Sequence, residues 1–245
     1  MAGRVEGRRC LVTGAAQGLG RTFCVALARE GALVAGLDVA DLAATRAEVG
    51  ERFVPVTADV TDPPSVQAAI AGLDERLGGI DVLVNNAGVY PVVPFEETSF
   101  AQWRQVMSVN LDGAFLVTRA ALPALRRSAA GRIVNVASAV VWLGPPGMVA
   151  YTASKAGLIG LTRSLAAELG ADGVTVNAIT PGLIATDTAV RTGVTDDLAR
   201  VVANQAVPRP QEPDDLISAL LFLVDPASSF VTGAALNVDG GFAKH

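Results

Sequence analysis

Tyr151 and Lys155 stand four residues apart in Tyr151-Thr152-Ala153-Ser154-Lys155. On a helix that spacing puts both side chains on one face. A free phenol has a pKa of about 10, too high for a base at neutral pH, but a nearby ammonium favours the phenolate. The pair suits proton transfer to and from an oxygen, with Tyr151 as the acid or base. Ser138 precedes Tyr151 just past a strand-like run, and its hydroxyl can hold the same oxygen. Asn110 interrupts an otherwise helical stretch from Phe100 to Arg127. An amide there can bond backbone and hold a water between Lys155 and solvent, completing a proton relay. The remaining composition narrows the choice. The single histidine, His245, is the last residue, and Cys10 and Cys24 are the two cysteines. A serine–histidine–acid triad has no internal histidine to use, and no metal site is expected from so poor a set of zinc ligands.

A second constellation lies near the N-terminus. Thr13-Gly14-Ala15-Ala16-Gln17-Gly18-Leu19-Gly20 joins a strand-like run to a helix-like one. Gly14 permits a tight turn, Gly18 lets the backbone approach a pyrophosphate, and Gly20 lets helix and strand pack closely. The pyrophosphate then sits on the free N–H groups of the helix N-terminus. Asp38 ends the next apolar run, where a carboxylate accepts hydrogen bonds from the adenosine ribose and repels a 2′-phosphate. Its neighbours Ala15, Ala16, Gln17, Val39 and Ala40 carry no cation. The expected cofactor is therefore NAD in preference to NADP. Asp59-Val60 is placed to hold the adenine edge, and Asn85-Asn86-Ala87-Gly88 to close over the adenosine side.

The elements that must position these groups are legible as near-continuous apolar runs: Arg9–Val12, Leu33–Leu37, Phe53–Val56, Asp81–Val84, Arg132–Val136, Thr175–Ile179 and Ala234–Val238. Such runs mark strands of a parallel sheet covered on both faces. Helical spacing between them predicts an α/β fold, a doubly wound Rossmann-type sheet of about seven parallel strands in one domain spanning residues 1–245. The stretch 183–211 is polar, without a clear strand or helix, and reads as a substrate loop.

Net charge is −5, which disfavours nucleic acid and anionic membrane as partners. No apolar run reaches the roughly 20 residues of a membrane span, and the N-terminus lacks the apolar stretch of a signal peptide. A cytoplasmic protein is expected. Hydrophobic residues make up 51% of the chain, enough to favour self-association.

The segment from Ser138 to Tyr151 holds no charged side chain, nor does Val89 to Phe95. If both flank one crevice, Tyr90, Val92, Val140, Trp142, Leu143 and Met148 line it. A charged substrate would lose water there and gain no cation, so a neutral, apolar alcohol or ketone is expected. The arginines Arg191 and Arg200, in the substrate loop, are the groups that could reverse this.

Together the pieces resemble a short-chain dehydrogenase/reductase of the single-domain branch, from end to end. The resemblance rests on Thr13-Gly14-x-x-x-Gly18-x-Gly20, Asn85-Asn86-Ala87-Gly88, Asn110, Ser138, Tyr151-x-x-x-Lys155, Pro181-Gly182 and Val238-Asp239-Gly240-Gly241. It implies hydride transfer between a nicotinamide and an alcohol or ketone, with an Asn110–Ser138–Tyr151–Lys155 tetrad. It also implies cofactor contacts from Pro181, Gly182, Ile184 and Thr186, and a homotetramer. Small residues Ala153, Ala156, Gly157 and Gly160 suit close helix contact. Within the family the chain is similar to NAD-dependent dehydrogenases of aromatic and other cyclic alcohols, 1-phenylethanol and pyridoxal dehydrogenases among them. Tyr90-Pro91, Pro94-Phe95 and His245 carry that likeness. Two other readings stay open. A 3-oxoacyl-(acyl-carrier-protein) reductase would share the tetrad and want a basic docking patch, for which Arg126, Arg127 and Arg132 are the candidates. A non-catalytic NAD sensor would bind the cofactor without turnover.

Overall fold

Seven strands, all parallel, form one sheet in the computed structural model, which describes residues 3–184 and 198–244. The strands are β1 (Arg9–Thr13), β2 (Leu33–Asp38), β3 (Phe53–Thr57), β4 (Val82–Asn85), β5 (Arg132–Val136), β6 (Thr175–Pro181) and β7 (Ala235–Val238). Their order is β3-β2-β1-β4-β5-β6-β7. The order reverses beside β1 and β4, and a crevice opens there at the carboxyl ends, where open α/β sheets bind ligands.

The strands alternate their side chains between two cores. Cys10, Val12, Val34, Val84, Val134 and Ile179 point to one face, where Phe23, Leu27 and Leu220 cover them. Leu11, Ala35, Leu37, Leu83, Ile133 and Val176 point to the other, under Val66, Ile70, Val117 and Leu125. Both faces are dry, which is why the runs read as continuous rather than alternating. Cys10 and Cys24 are free and fully buried. Burial pushes both thiols up, Cys10 to about 12.

The helices that hold functional groups have identifiable starts. They are α1 (Gly18–Arg29), α2 (Ala43–Val49), α3 (Pro63–Leu77), α4 (Phe100–Met107), α5 (Gly113–Arg127), α6 (Val140–Leu143), α7 (Val149–Leu169), α8 (Leu198–Asn204) and α9 (Ile217–Val224). Asp62 caps α3 through Ser65 N, with prolines in its first turn and Gly78 left-handed at its end; both are common helix punctuation. Ser99 and Gln102 form a reciprocal capping box on α4. Between α4 and α5 the chain widens into one π-helical stretch, Ser108–Asp112, centred on Asn110. The expected interruption at Asn110 is thus a local change of helical pitch, a feature that recurs at functional sites. In the polar stretch 183–211 the described part contains α8, so that segment is not wholly loop.

The amino ends of the central strands β1 and β4 are held by charge. Asp81 stands just before β4 and accepts from Arg9 Nη2 (2.7 Å), Arg9 Nε (2.8 Å) and Ser128 Oγ (2.6 Å). Burial alone would raise its pKa. These donors outweigh it and hold the carboxyl down to about 2.

Candidate active site

The glycine turn is shaped by what presses on it. Gly14 has φ +66°, and a Cβ there would lie 2.8 Å from Ala87 Cα. A Cβ on Gly20 would overlap the Gly14 carbonyl oxygen and reach 2.7 Å from Asn86 Nδ2. Gly20 therefore packs α1 against the turn without lining the crevice, whereas Gly14, Gln17, Gly18 and Leu19 do line it. Asn86 is spent on the same turn: its Nδ2 donates to Thr13 O (2.9 Å) and Gly14 O (3.2 Å). Asn86 with Ala87 and Gly88 carries the crevice wall onward from there.

Asp38 faces the crevice at the end of β2. Its two oxygens accept from Ala16 N and Ala40 N, each at 2.9 Å, which fixes the carboxylate at the mouth of the turn. A cation that the sequence reading overlooked approaches from behind. The Arg21 guanidinium donates to Ala16 O (2.6 Å), Thr45 Oγ1 (3.3 Å) and Glu48 Oε1 (3.4 Å), and Arg21 is not part of the crevice lining. Asp59 and Val60 line the next part of the wall, with Thr61 folded back onto Asp59 Oδ1. The cradle thus offers a left-handed glycine turn, free backbone at the start of α1 and a fixed carboxylate. That set fits the adenosine diphosphate part of a dinucleotide.

The other half of the crevice, whose total volume is about 1180 Å³, contains Ser138, Tyr151 and Lys155. Tyr151 and Lys155 come from the first turns of α7, and Ser138 follows β5. Ser138 lies beside the Tyr151 phenol in this half. Burial pushes the phenol up to about 12, against the smaller lowering by Ser138. Lys155 is pushed down to about 8 by burial. Its Nζ donates to Val136 O (2.7 Å) and lies 5.7 Å from the Tyr151 ring centre. Burial is the largest influence on the phenol in this arrangement and favours its protonated form.

Asn110 lies behind the wall, 1% exposed. Its Oδ1 accepts from Val89 N (2.8 Å), and its Nδ2 donates to Val89 O (2.9 Å) and Ser154 Oγ (3.0 Å). Ser154 Oγ donates in turn to Tyr151 O (2.7 Å). The amide ties the loop after β4 to the π-helical stretch and to α7. A Cβ on Gly88 would meet Asn110 Oδ1 at 3.3 Å and Lys155 Nζ at 3.4 Å, so the four tetrad residues do converge.

Tyr90, Val92, Val140, Leu143 and Met148 line the outer crevice as expected. The Tyr90 ring meets Tyr151 edge-on, centres 6.0 Å apart. Val93 N donates to Gly147 O (2.8 Å), joining the two uncharged segments. Trp142 is a correction. It packs instead with Ala114, Leu158 and Ile159, because α6 is helical and turns Val140 and Leu143 to one side and Trp142 to the other. Pro181, Gly182 and Ile184 line the crevice floor. Thr186, Arg191 and His245 lie outside the described residues. Gln105, Ser108, Val201 and Phe242 also line the crevice and had no sequence signal; Arg200 lines it too, on α8.

The three arginines suggested for a basic docking patch are each engaged within the chain. Arg126 pairs with Asp172 (2.7 Å) and Arg127 with Asp74 (2.6 Å). Arg132 is 1% exposed and donates to Asp225 O and Pro226 O.

Residues 14–243 match the family described as enoyl-(acyl carrier protein) reductase. The chain is 36% identical over 241 residues to 3-oxoacyl-(acyl-carrier-protein) reductase of Vibrio cholerae serotype O1, covering 97% of this chain and 98% of the relative. It is 39% identical over 241 residues to cis-4-hydroxycyclohexanecarboxylate dehydrogenase of Sinomonas cyclohexanicum, covering 96% of each. The crystal structure of a short-chain dehydrogenase/reductase, glucose/ribitol dehydrogenase, from Brucella melitensis superposes with a TM-score of 0.94 at 33% identity, covering 100% of both chains. With the sheet order, the glycine turn and the convergent tyrosine and lysine, these matches show that the chain belongs to the short-chain dehydrogenase/reductase family of oxidoreductases.

Proposed function

We propose that the protein is an NAD-dependent dehydrogenase of neutral, apolar secondary alcohols, aryl or cyclic, and a reductase of the matching ketones. The observation that carries this reading is the Tyr151 phenol set beside Ser138 beneath an uncharged wall of Tyr90, Val92, Leu143 and Met148. Members of the family typically use a nicotinamide dinucleotide; when bound, its ring supplies or accepts the hydride. Ser138 Oγ holds the substrate oxygen. Tyr151 Oη, protonated at neutral pH, gives its proton to the oxygen as negative charge develops there. Lys155 supplies positive charge behind the phenol and binds the adjoining ribose, and Asn110 locks the loop that carries Tyr90. Asp38 selects NAD: its carboxylate repels a 2′-phosphate, and Arg21 is engaged behind the turn. An apolar ring gains roughly 25 cal/mol per Å² buried against the outer wall.

Residues 1–245 act as one dinucleotide-binding and catalytic domain, with 183–211 as its substrate segment. Self-association, as a homotetramer, is supported by exposed Phe115 on α5 and by Ala156 and Gly160 exposed on α7. Gly157 serves the chain itself, since a Cβ there would meet Leu111 Cδ2 at 2.8 Å. We further propose a cytoplasmic protein that binds neither nucleic acid nor membrane; no helix among the described residues is long and apolar enough to cross a bilayer.

A second reading, reduction of a 3-oxoacyl carrier-protein thioester, is favoured by the Vibrio relative. The pairing of Arg126 and Arg127 and the burial of Arg132 weigh against it. The test is a steady-state panel with NADH and NADPH. Acetophenone- and cyclohexanone-type ketones should give the highest kcat/KM, with NADH. Higher values for 2- or 3-oxo acids, or for a 3-oxoacyl thioester, would overturn the substrate assignment. NADH binding without any turnover would favour a sensor.

A further inference from the structure

We propose that Gln211 is a positioning residue for the nicotinamide end of the crevice, acting through the Pro181–Gly182 turn; the proposal rests on the dinucleotide reading above. Gln211 is 6% exposed, although it sits in the polar stretch Arg209-Pro210-Gln211-Glu212, which looks like surface. Both ends of its amide are used. Oε1 accepts from Gly182 N (2.9 Å), and Nε2 donates to Val238 O (2.6 Å). Its backbone forms an isolated parallel bridge with Ile184. One side chain thus joins the turn after β6, the return of the substrate segment and the end of β7.

The turn has no room to settle elsewhere. A Cβ on Gly182 would lie 2.8 Å from Gln211 Oε1 and 2.9 Å from Asp239 Cβ. Asp239, 4% exposed, accepts from Gly241 N (2.9 Å), Phe242 N (3.2 Å) and Ala243 N (2.7 Å). That fixes the C-terminal turn and the Phe242 it presents to the crevice. Val207 N donates to Gly240 O (2.9 Å), docking the chain just after α8 on the same turn. Pro181, Gly182 and Ile184, on the segment that Gln211 Oε1 and its backbone hold, line the crevice, as does Phe242, four residues after the Val238 that Nε2 holds. A side chain of another length or chemistry at 211 therefore shifts floor atoms without touching the glycine turn or Asp38.

The experiment compares parent, Q211L and Q211E as full chains, with NADH and ADP-ribose affinities measured by calorimetry. ADP-ribose carries the adenosine end and lacks the nicotinamide ring. Q211L removes both hydrogen bonds and should weaken NADH binding about tenfold, with ADP-ribose within about twofold of the parent. Q211E keeps an acceptor for Gly182 N and should fall between. Equal weakening of both ligands in Q211E and Q211L, or no change in either, would overturn the positioning role. Should Q211L fail to fold, Q211E alone decides by the same contrast. A parent that bound neither ligand would remove the dinucleotide reading and this proposal with it.

Discussion

Replacing Asp38 with alanine should narrow the preference for NADH over NADPH by about a thousandfold, and the structure gives each part of that figure. The carboxylate accepts Ala16 N and Ala40 N at 2.9 Å and turns toward the crevice. A ribose hydroxyl that donates to it makes a hydrogen bond to a charged group, which at a half-buried site is worth about 1.5 kcal/mol. NADH should lose that much, about tenfold in affinity. A 2′-phosphate about 5 Å from the carboxylate meets a repulsion of about 3 kcal/mol at an effective dielectric of about 40. NADPH should recover that much in the variant. It should not become a tight ligand, because Arg21 stays with Ala16 O, Thr45 and Glu48. The assay is the ratio of kcat/KM for NADH and NADPH at fixed ketone, with the two Kd values by fluorescence titration. A D38A variant whose ratio stayed within twofold of the parent would show that Asp38 does not face the ribose.

Other sites give sharper structural tests. Gly20→Ala should destabilise the fold by about 1–3 kcal/mol and weaken NADH binding more than ketone binding, because α1 must retreat from the Gly14 carbonyl; an unchanged Tm would contradict the packing described. Asp81 has its carboxyl depressed to about 2, so its contribution is present above the ordinary carboxylate pKa and is lost as pH falls from about 4 to 2. Asp81→Asn should therefore cost about 2–3 kcal/mol at pH 7 and much less at pH 2.5; urea unfolding that gave equal losses at both pH values would refute the linkage. With the Tyr151 phenol raised to about 12, ketone reduction should stay flat through neutral pH and alcohol oxidation should rise into the alkaline range. A reduction rate that fell between pH 6 and 8 would assign the proton to another group.

Much of this was legible because parallel strands with two dry faces leave unbroken apolar runs. Every predicted strand is present, and the errors are of one or two residues at ends: β1, β2, β3, β4 and β6 run on to Thr13, Asp38, Thr57, Asn85 and Pro181, β4 begins after Asp81, and β7 begins at Ala235. The places of Tyr151, Lys155 and Asn110 were legible from spacing, since the first two share a helix and the third breaks one; their grouping with Ser138 came from the resemblance. Trp142 was misassigned because an uncharged run was read as a continuous wall. Four residues of helix are enough to turn Val140 and Leu143 inward and Trp142 away. Arg21 was missed because it is distant in sequence from Asp38 and meets it only through the Ala16 peptide. Gln211 was missed because its partners, Gly182 and Val238, come from two other strand ends. Such contacts depend on topology, which local pattern does not encode.

The most direct test of the account is NADH-dependent ketone reduction by the parent and by Tyr151→Phe, each paired with an NADH titration. The phenol lines the crevice beside Ser138, and among the described residues no histidine can replace it. The account predicts parent turnover, NADH binding within about threefold in the variant, and kcat lower by about 10²–10⁴. Turnover by Tyr151→Phe within a few-fold of the parent would contradict it.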